Sequence, residues 1–147
     1  MVAADLYPTK AKDLAARVEF LTRHIPGIKV ILTGESNGAA ICESAMRILQ
    51  ENTQVYSIQI GPPCWNKGTA SDRSLVLRSN GSVPDAFSQG DIITFIRANL
   101  ESIFGISQDN PGKILVYIGA PGHDYNWQYE GVRLQITDFL YNILTPK

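Results

Sequence analysis

A chain of 147 residues with a formal charge of −1 is long enough for one domain with a sizeable core, and its interspersed acids and bases mark no nucleic-acid or polybasic membrane surface. Apolar residues make up 44% of it, an ordinary share for a globular protein, and no low-complexity run argues for disorder. No apolar run is long enough to cross a bilayer, and the segment from Met1 to Pro8 lacks the basic start and apolar centre of a signal peptide. A soluble, cytoplasmic protein is the expectation. Two cysteines, Cys42 and Cys64, form neither a metal-site spacing nor a disulfide framework and read as free thiols.

Residues 8–24 read as a helix: Leu14, Val18 and Leu21 recur at helical spacing, Pro8 or Thr9 starts it, and Pro26-Gly27 stops it. A strand over residues 28–33 (Val30, Ile31, Leu32) runs into Gly34-Glu35-Ser36-Asn37-Gly38. A helix then continues to about residue 51 with Ile41, Ala45, Ile48 and Leu49 as its apolar stripe. Residues 54–60 (Val55, Tyr56, Ile58, Ile60) form a second strand ended by Gly61-Pro62-Pro63, and residues 61–72 a loop. Residues 74–78 are a short third strand, followed by a loop from Ser79 to Asp85. A helix over residues 91–104 has Asp91 at its start and Ile92, Phe95, Ile96 and Ile103 as its apolar face. After a turn at Asp109-Asn110-Pro111-Gly112, residues 114–118 are an almost wholly apolar fourth strand, leading through Gly119-Ala120-Pro121-Gly122 to His123. The last helix, residues 129–143, buries Val132, Ile136, Phe139, Leu140 and Ile143.

Short buried strands alternating with amphipathic helices predict an α/β domain over residues 1–147: a mostly parallel sheet of about four strands with helices on both faces. Ligands of such sheets sit outside the carboxyl ends of the strands. Ser36, Asn80 and His123 all fall just after strand ends.

The segment around Ser36 fits G-x-S-x-G, a nucleophile elbow, with the strand before and the helix after that the motif requires. Its glycines let the chain turn sharply, since side chains at the flanking positions would strike neighbouring backbone. A serine hydroxyl needs a base before it can attack. His24 ends the first helix, where a surface imidazole suits the helix dipole. His123 follows a strand and a glycine-rich turn on the side of the sheet expected for Ser36, and the order serine, acid, histidine fits the elbow.

Strand–Gly34-Glu35-Ser36-Asn37-Gly38–helix, followed far downstream by strand–Gly119-Ala120-Pro121-Gly122-His123-Asp124-Tyr125–helix, resembles the α/β-hydrolase superfamily, with some likeness to the class 3, fungal-type lipases. The resemblance covers nearly the whole chain and corresponds to the family's C-terminal half. It implies a partial α/β-hydrolase fold and a serine hydrolase cleaving esters or thioesters, with Ser36 and His123 catalytic and the Asn37 N–H in the oxyanion hole. Where the family often carries Asp-x-x-Val-Pro, this chain has Asn80-Gly81-Ser82-Val83-Pro84, an amide in place of the carboxylate. Asn80 and Asp85 both stand as partners for His123; Asp91 reads as a helix cap, and Asp124 points elsewhere.

In the family the second oxyanion donor follows an earlier strand, and only Met1 to Tyr7 precede the first helix here. Two expectations compete: the C-terminal part of a longer hydrolase, or a reduced, non-catalytic relative serving self-association or partner binding. Either way residues 28–33 would be an exposed edge strand, predicting a homo-oligomer or a covering N-terminal segment. Trp65, Tyr125 and Trp127 lie near the expected site, as packing residues or as walls of an acyl pocket. Glu35 reads as a solvated position. No metal spacing, phosphate loop or dinucleotide fingerprint is present, so no cofactor is expected.

Overall fold

The computed structural model describes residues 6–66, 68–104, 106, 112–115 and 118–145. Within them the chain divides into two units, Met1–Ile60 with Gly68–Val76, and Gly61–Lys67 with Leu77–Lys147.

In the first unit, helix α1 (Leu6–His24) leads to strand β1 (Val30–Glu35), helix α2 (Asn37–Ile48) and strand β2 (Val55–Ile60). The β-branched run of β1 pairs in parallel with β2, Val30 opposite Val55 through Glu35 opposite Ile60. Such a pair needs a crossover, and α2 supplies it, packing on both strands and on α1. Its alanines allow close approach: Ala39, Ala40 and Ala45 are fully buried. The core gathers Ala11, Ala15 and Val18 of α1, Leu32, Cys42, Met46, Leu49 and Val55. Burial pushes the Cys42 thiol up to about 11, leaving it a packing residue rather than a nucleophile.

Glu43, next to Cys42 in α2, is buried as well, and the sequence offered no sign of it. Its carboxylate accepts from Gln59 Nε2 at 3.1 Å, from the Thr69 N–H at 3.2 Å and from the Thr69 hydroxyl at 3.1 Å, and pairs with Arg47 at 3.1 Å. Burial would raise this carboxyl, but those bonds outweigh it and hold it below the usual glutamate range.

Strand β3 (Ser74–Leu77) completes a three-stranded parallel sheet in the order β1-β2-β3, so β1 stands at one end of the described sheet. The expected fourth strand is not part of it. Instead β4 (Lys113–Leu115) and β5 (Ile118–Gly119) form a small antiparallel pair of their own. The antiparallel pairing reverses the chain inside the run that reads as one strand; residues 116 and 117, like most of the turn expected at 109–112, lie outside the described residues.

The second unit also holds helices α3 (Ala86–Gln89), α4 (Ile92–Ile103) and α5 (Glu130–Leu144). Four-residue α3 is too short to show a period and was not expected. Asp91 caps α4 as expected, accepting from the Thr94 N–H at 3.0 Å. The apolar face of α4 is otherwise: no residue of the helix is buried, and Ile92, Ile96 and Ile103 are exposed. Its hold on β5 is polar, because the Asn99 side chain donates to the Gly119 carbonyl at 2.8 Å and accepts from the Gly119 N–H at 2.9 Å. Val132 and Ile143 of α5 are buried, with Ile136, Phe139 and Leu140 half-buried. No described helix is long and apolar enough to cross a membrane.

Candidate active site

The residues singled out by sequence fall into two groups, one in each unit. In the first, Ser36 joins β1 to α2 with φ 52° and ψ −118°, the only non-glycine residue at positive φ among those described. Its backbone is pinned: the N–H donates to the Ile60 carbonyl at 2.8 Å, and its carbonyl accepts from the Ala39 N–H at 3.0 Å. A serine before a helix ordinarily turns its hydroxyl back to cap the first turn. Ser36 makes no such bond, so its hydroxyl is left for other partners while the backbone bears strain of about 1–3 kcal/mol.

The two elbow glycines differ. A Cβ on Gly34 would stand 2.3 Å from the Gly38 carbonyl carbon and oxygen, so a side chain there is excluded. A Cβ on Gly38 meets nothing within 4 Å, which corrects the expectation that both flanking positions are sterically closed. Asn37 opens α2, and its N–H precedes the first residues with an acceptor four positions back, as an oxyanion donor must. Glu35 is exposed.

The second group centres on Asp85 and His123. Asp85 precedes α3, and its Oδ1 caps that helix by accepting from the Ser88 N–H at 3.0 Å. Its Oδ2 accepts from His123 Nδ1 at 2.7 Å and from the Tyr125 hydroxyl at 2.7 Å. Both members of the pair are buried, Asp85 fully and His123 to 5% exposure. Burial alone would raise the Asp85 carboxyl; the hydrogen bonds from His123, Tyr125 and the Ser88 N–H, with the attraction of the imidazole, outweigh it and hold it below the usual aspartate range. An ionised carboxylate only accepts, so Nδ1 of His123 carries the proton of this bond, and in the neutral ring Nε2 holds the lone pair.

Asn80 does not share in this. It is buried, and its Oδ1 accepts from the Ser82 and Val83 N–H groups, each at 2.9 Å, which makes it the pivot of its own turn. Of the two residues considered as partner for His123, Asp85 makes the bond. Asp124 turns to the Asn126 N–H and the Tyr129 hydroxyl, each at 3.2 Å. His24 lies exposed in the last turn of α1, bonded to the Phe20 carbonyl and stacked on the Phe20 ring.

Two contributions were not recognised in the sequence: that of Gly61, and the hydroxyl of Tyr125, which reads there as a packing residue or a pocket wall. The Tyr125 ring meets His123 edge-on at 5.9 Å, and its hydroxyl completes the Asp85 cluster. Gly61, read there only as a strand terminator, has φ 51°, and a Cβ on it would lie 2.7 Å from the Tyr125 ring, 2.8 Å from His123 Cε1 and 3.0 Å from Asp85 Oδ2. Only glycine fits where these three side chains converge. The Gly61-Pro62-Pro63 run was the one available signal for it, whereas Tyr125, two residues beyond His123, carried none for its hydroxyl.

On the other side of His123 the Phe87 ring meets the imidazole edge-on at 5.3 Å, and Trp65 meets Phe87 at 5.4 Å. Trp65, Phe87, Ile92, Phe95 and Ile96 border an apolar groove of about 390 Å³. Trp127 is exposed. No cluster of three or more potential metal ligands occurs among the described residues. Comparison with protein-family models, with curated proteins and with solved structures finds no match to this chain.

Proposed function

We propose that the chain carries the catalytic residues of a serine hydrolase acting on esters or thioesters. Ser36 is the nucleophile and His123 its base, oriented by Asp85. Ser36 Oγ attacks the substrate carbonyl carbon while His123 Nε2 takes the hydroxyl proton, and the Asn37 N–H binds the oxygen that becomes negative. Collapse expels the alcohol or thiol, which leaves with the proton from His123, and a water activated at the same nitrogen then releases the acid from Ser36. The groove beside Phe87 suits an apolar acid portion.

The observation that carries this proposal is the conformation of Ser36. A serine held at positive φ between strand and helix, with its hydroxyl kept out of the helix cap, spends backbone strain on exposing that hydroxyl. The buried Asp85–His123 pair supports it by providing an imidazole in the tautomer a base needs. Labelling with a fluorophosphonate probe tests it: the wild type should be modified, while Ser36→Ala and His123→Ala should not. An unlabelled wild type, or equal labelling of Ser36→Ala, refutes it.

One observation favours a second function of another class, association through the sheet. β1 pairs with β2 alone and ends the described strand order, leaving a row of backbone groups open to another strand. Under this proposal residues 30–35 bind a second copy or a partner segment, and a β1 proline substitution, Leu32→Pro, converts an oligomer to monomer in light scattering. A wild type that is monomeric throughout rejects self-association.

A further inference from the structure

We propose that Tyr125 is a positioning residue of the site: by donating to the Asp85 oxygen that accepts from His123, its hydroxyl holds the imidazole in register and limits how much of the Asp85 charge reaches it. This rests on the role of His123 as base given above, and it concerns a group outside serine, acid and histidine.

Three observations converge on it. Asp85 Oδ2 receives two donors at the same 2.7 Å separation, while Oδ1 is engaged by the Ser88 N–H at 3.0 Å. A carboxylate that accepts several bonds is a weaker acceptor toward each, because every donor withdraws part of the same charge. The Tyr125 ring also stands edge-on to the imidazole at 5.9 Å, as the Phe87 ring does at 5.3 Å. Gly61 closes the arrangement, its missing side chain leaving room for Tyr125, His123 and Asp85 together. A tyrosine serving only to fill space would need none of this, since the phenylalanine ring would pack equally well without the hydrogen bond to Asp85.

The titratable groups facing the imidazole can be named. Among the described residues they include Asp85, at the start of α3, and Tyr125, on the loop that carries His123; α3 also offers Phe87, and the loop after β2 offers Gly61. The neighbouring Asp124 carboxylate is directed to Asn126 and Tyr129.

Tyr125→Phe keeps the ring and removes the hydroxyl. With one donor gone, Asp85 Oδ2 turns more of its charge on His123, so the acidic limb of the kcat/KM profile should move to higher pH by about half a unit to one unit, a part of the roughly one to two units that a hydrogen bond to a charged group is worth to Asp85 itself. In the same variant the His123 Nδ1 proton resonance should move downfield and its exchange with water should change. Both effects should vanish when Tyr125→Phe is placed in an Asp85→Asn background, whereas a packing role of the ring would be indifferent to that background. A variant whose proton resonance and pH profile match the wild type overturns the proposal, as does an equal shift in both backgrounds. The proton resonance is read without turnover: a catalytically silent wild type whose resonance still responds to Tyr125→Phe would refute the hydrolase and leave the Tyr125 contact standing.

Discussion

The Ser36 elbow and the Asp85–His123–Tyr125 cluster are built by opposite means. The elbow is made by chain neighbours: Gly34 must be bare because Gly38 passes 2.3 Å from where its Cβ would be, and α2 starts at once beyond Ser36. The cluster is made by distant ones, from Gly61 to Tyr125, drawn together by hydrogen bonds that no local spacing encodes. A short-range device stores strain in one residue. A long-range device stores charge in a buried carboxylate that three donors keep ionised.

The largest effect expected from breaking that contrast is kinetic. Asp85→Asn leaves His123 without a charged partner and frees the wrong tautomer, which should lower kcat by about four orders of magnitude while Asn80→Ala changes it little. Initial rates with a short-chain aryl ester compare the two; equal losses would return Asn80 to the site. Next comes Gly34→Ala, whose methyl has no room against Gly38 and should destabilise the protein by about 3 kcal/mol in urea unfolding. An ordinary melting curve for that variant would contradict the elbow geometry.

Acid should reveal the charged device in a further, smaller effect. Asp85 and Glu43 are both held below their ordinary values of 3.8 and 4.5, so their stabilisation is present above those values and lost as pH falls through the lower ones of the folded state. Thermal unfolding from pH 6 down to pH 3 should therefore show a falling Tm, less steep in Asp85→Asn. The same slope in variant and wild type would mean that Asp85 does not bind its proton more weakly when folded.

The two smallest effects probe the elbow again. Ser36→Gly removes the side chain that dislikes φ 52° and should raise stability by about 1 kcal/mol while removing the nucleophile. Gly38→Ala enters open space in a helix and should be stabilising by at most about 1 kcal/mol. A destabilised Gly38→Ala would restore the steric role that the sequence motif suggests for both glycines.

Much of the frame was legible because its signals are local. β1, β2, α1, α2 and α5 follow from apolar period, proline and glycine punctuation, each within a residue or a few of its expected end. What failed also has a local cause. An apolar run such as residues 114–118 reads as one buried strand, yet Lys113–Leu115 pairs back on Ile118–Gly119. The apolar period of α4 promised burial, but period reports which residues share a face and not whether anything covers it.

Of the candidate residues, the sequence by itself determined the turn at Ser36 and the position of His123 after a glycine-rich loop, since conformational limits on glycine and the strand-to-helix turn act over a handful of residues. It left Asn80 and Asp85 open and passed over Gly61 and the Tyr125 hydroxyl. Only tertiary structure decided those, because a hydrogen bond at 2.7 Å between residues 38 positions apart depends on where the whole chain brings them. Burial then makes the choice count: inside the protein Asn80 turns inward on its own loop, while Asp85 keeps its charge only by gathering donors from elsewhere.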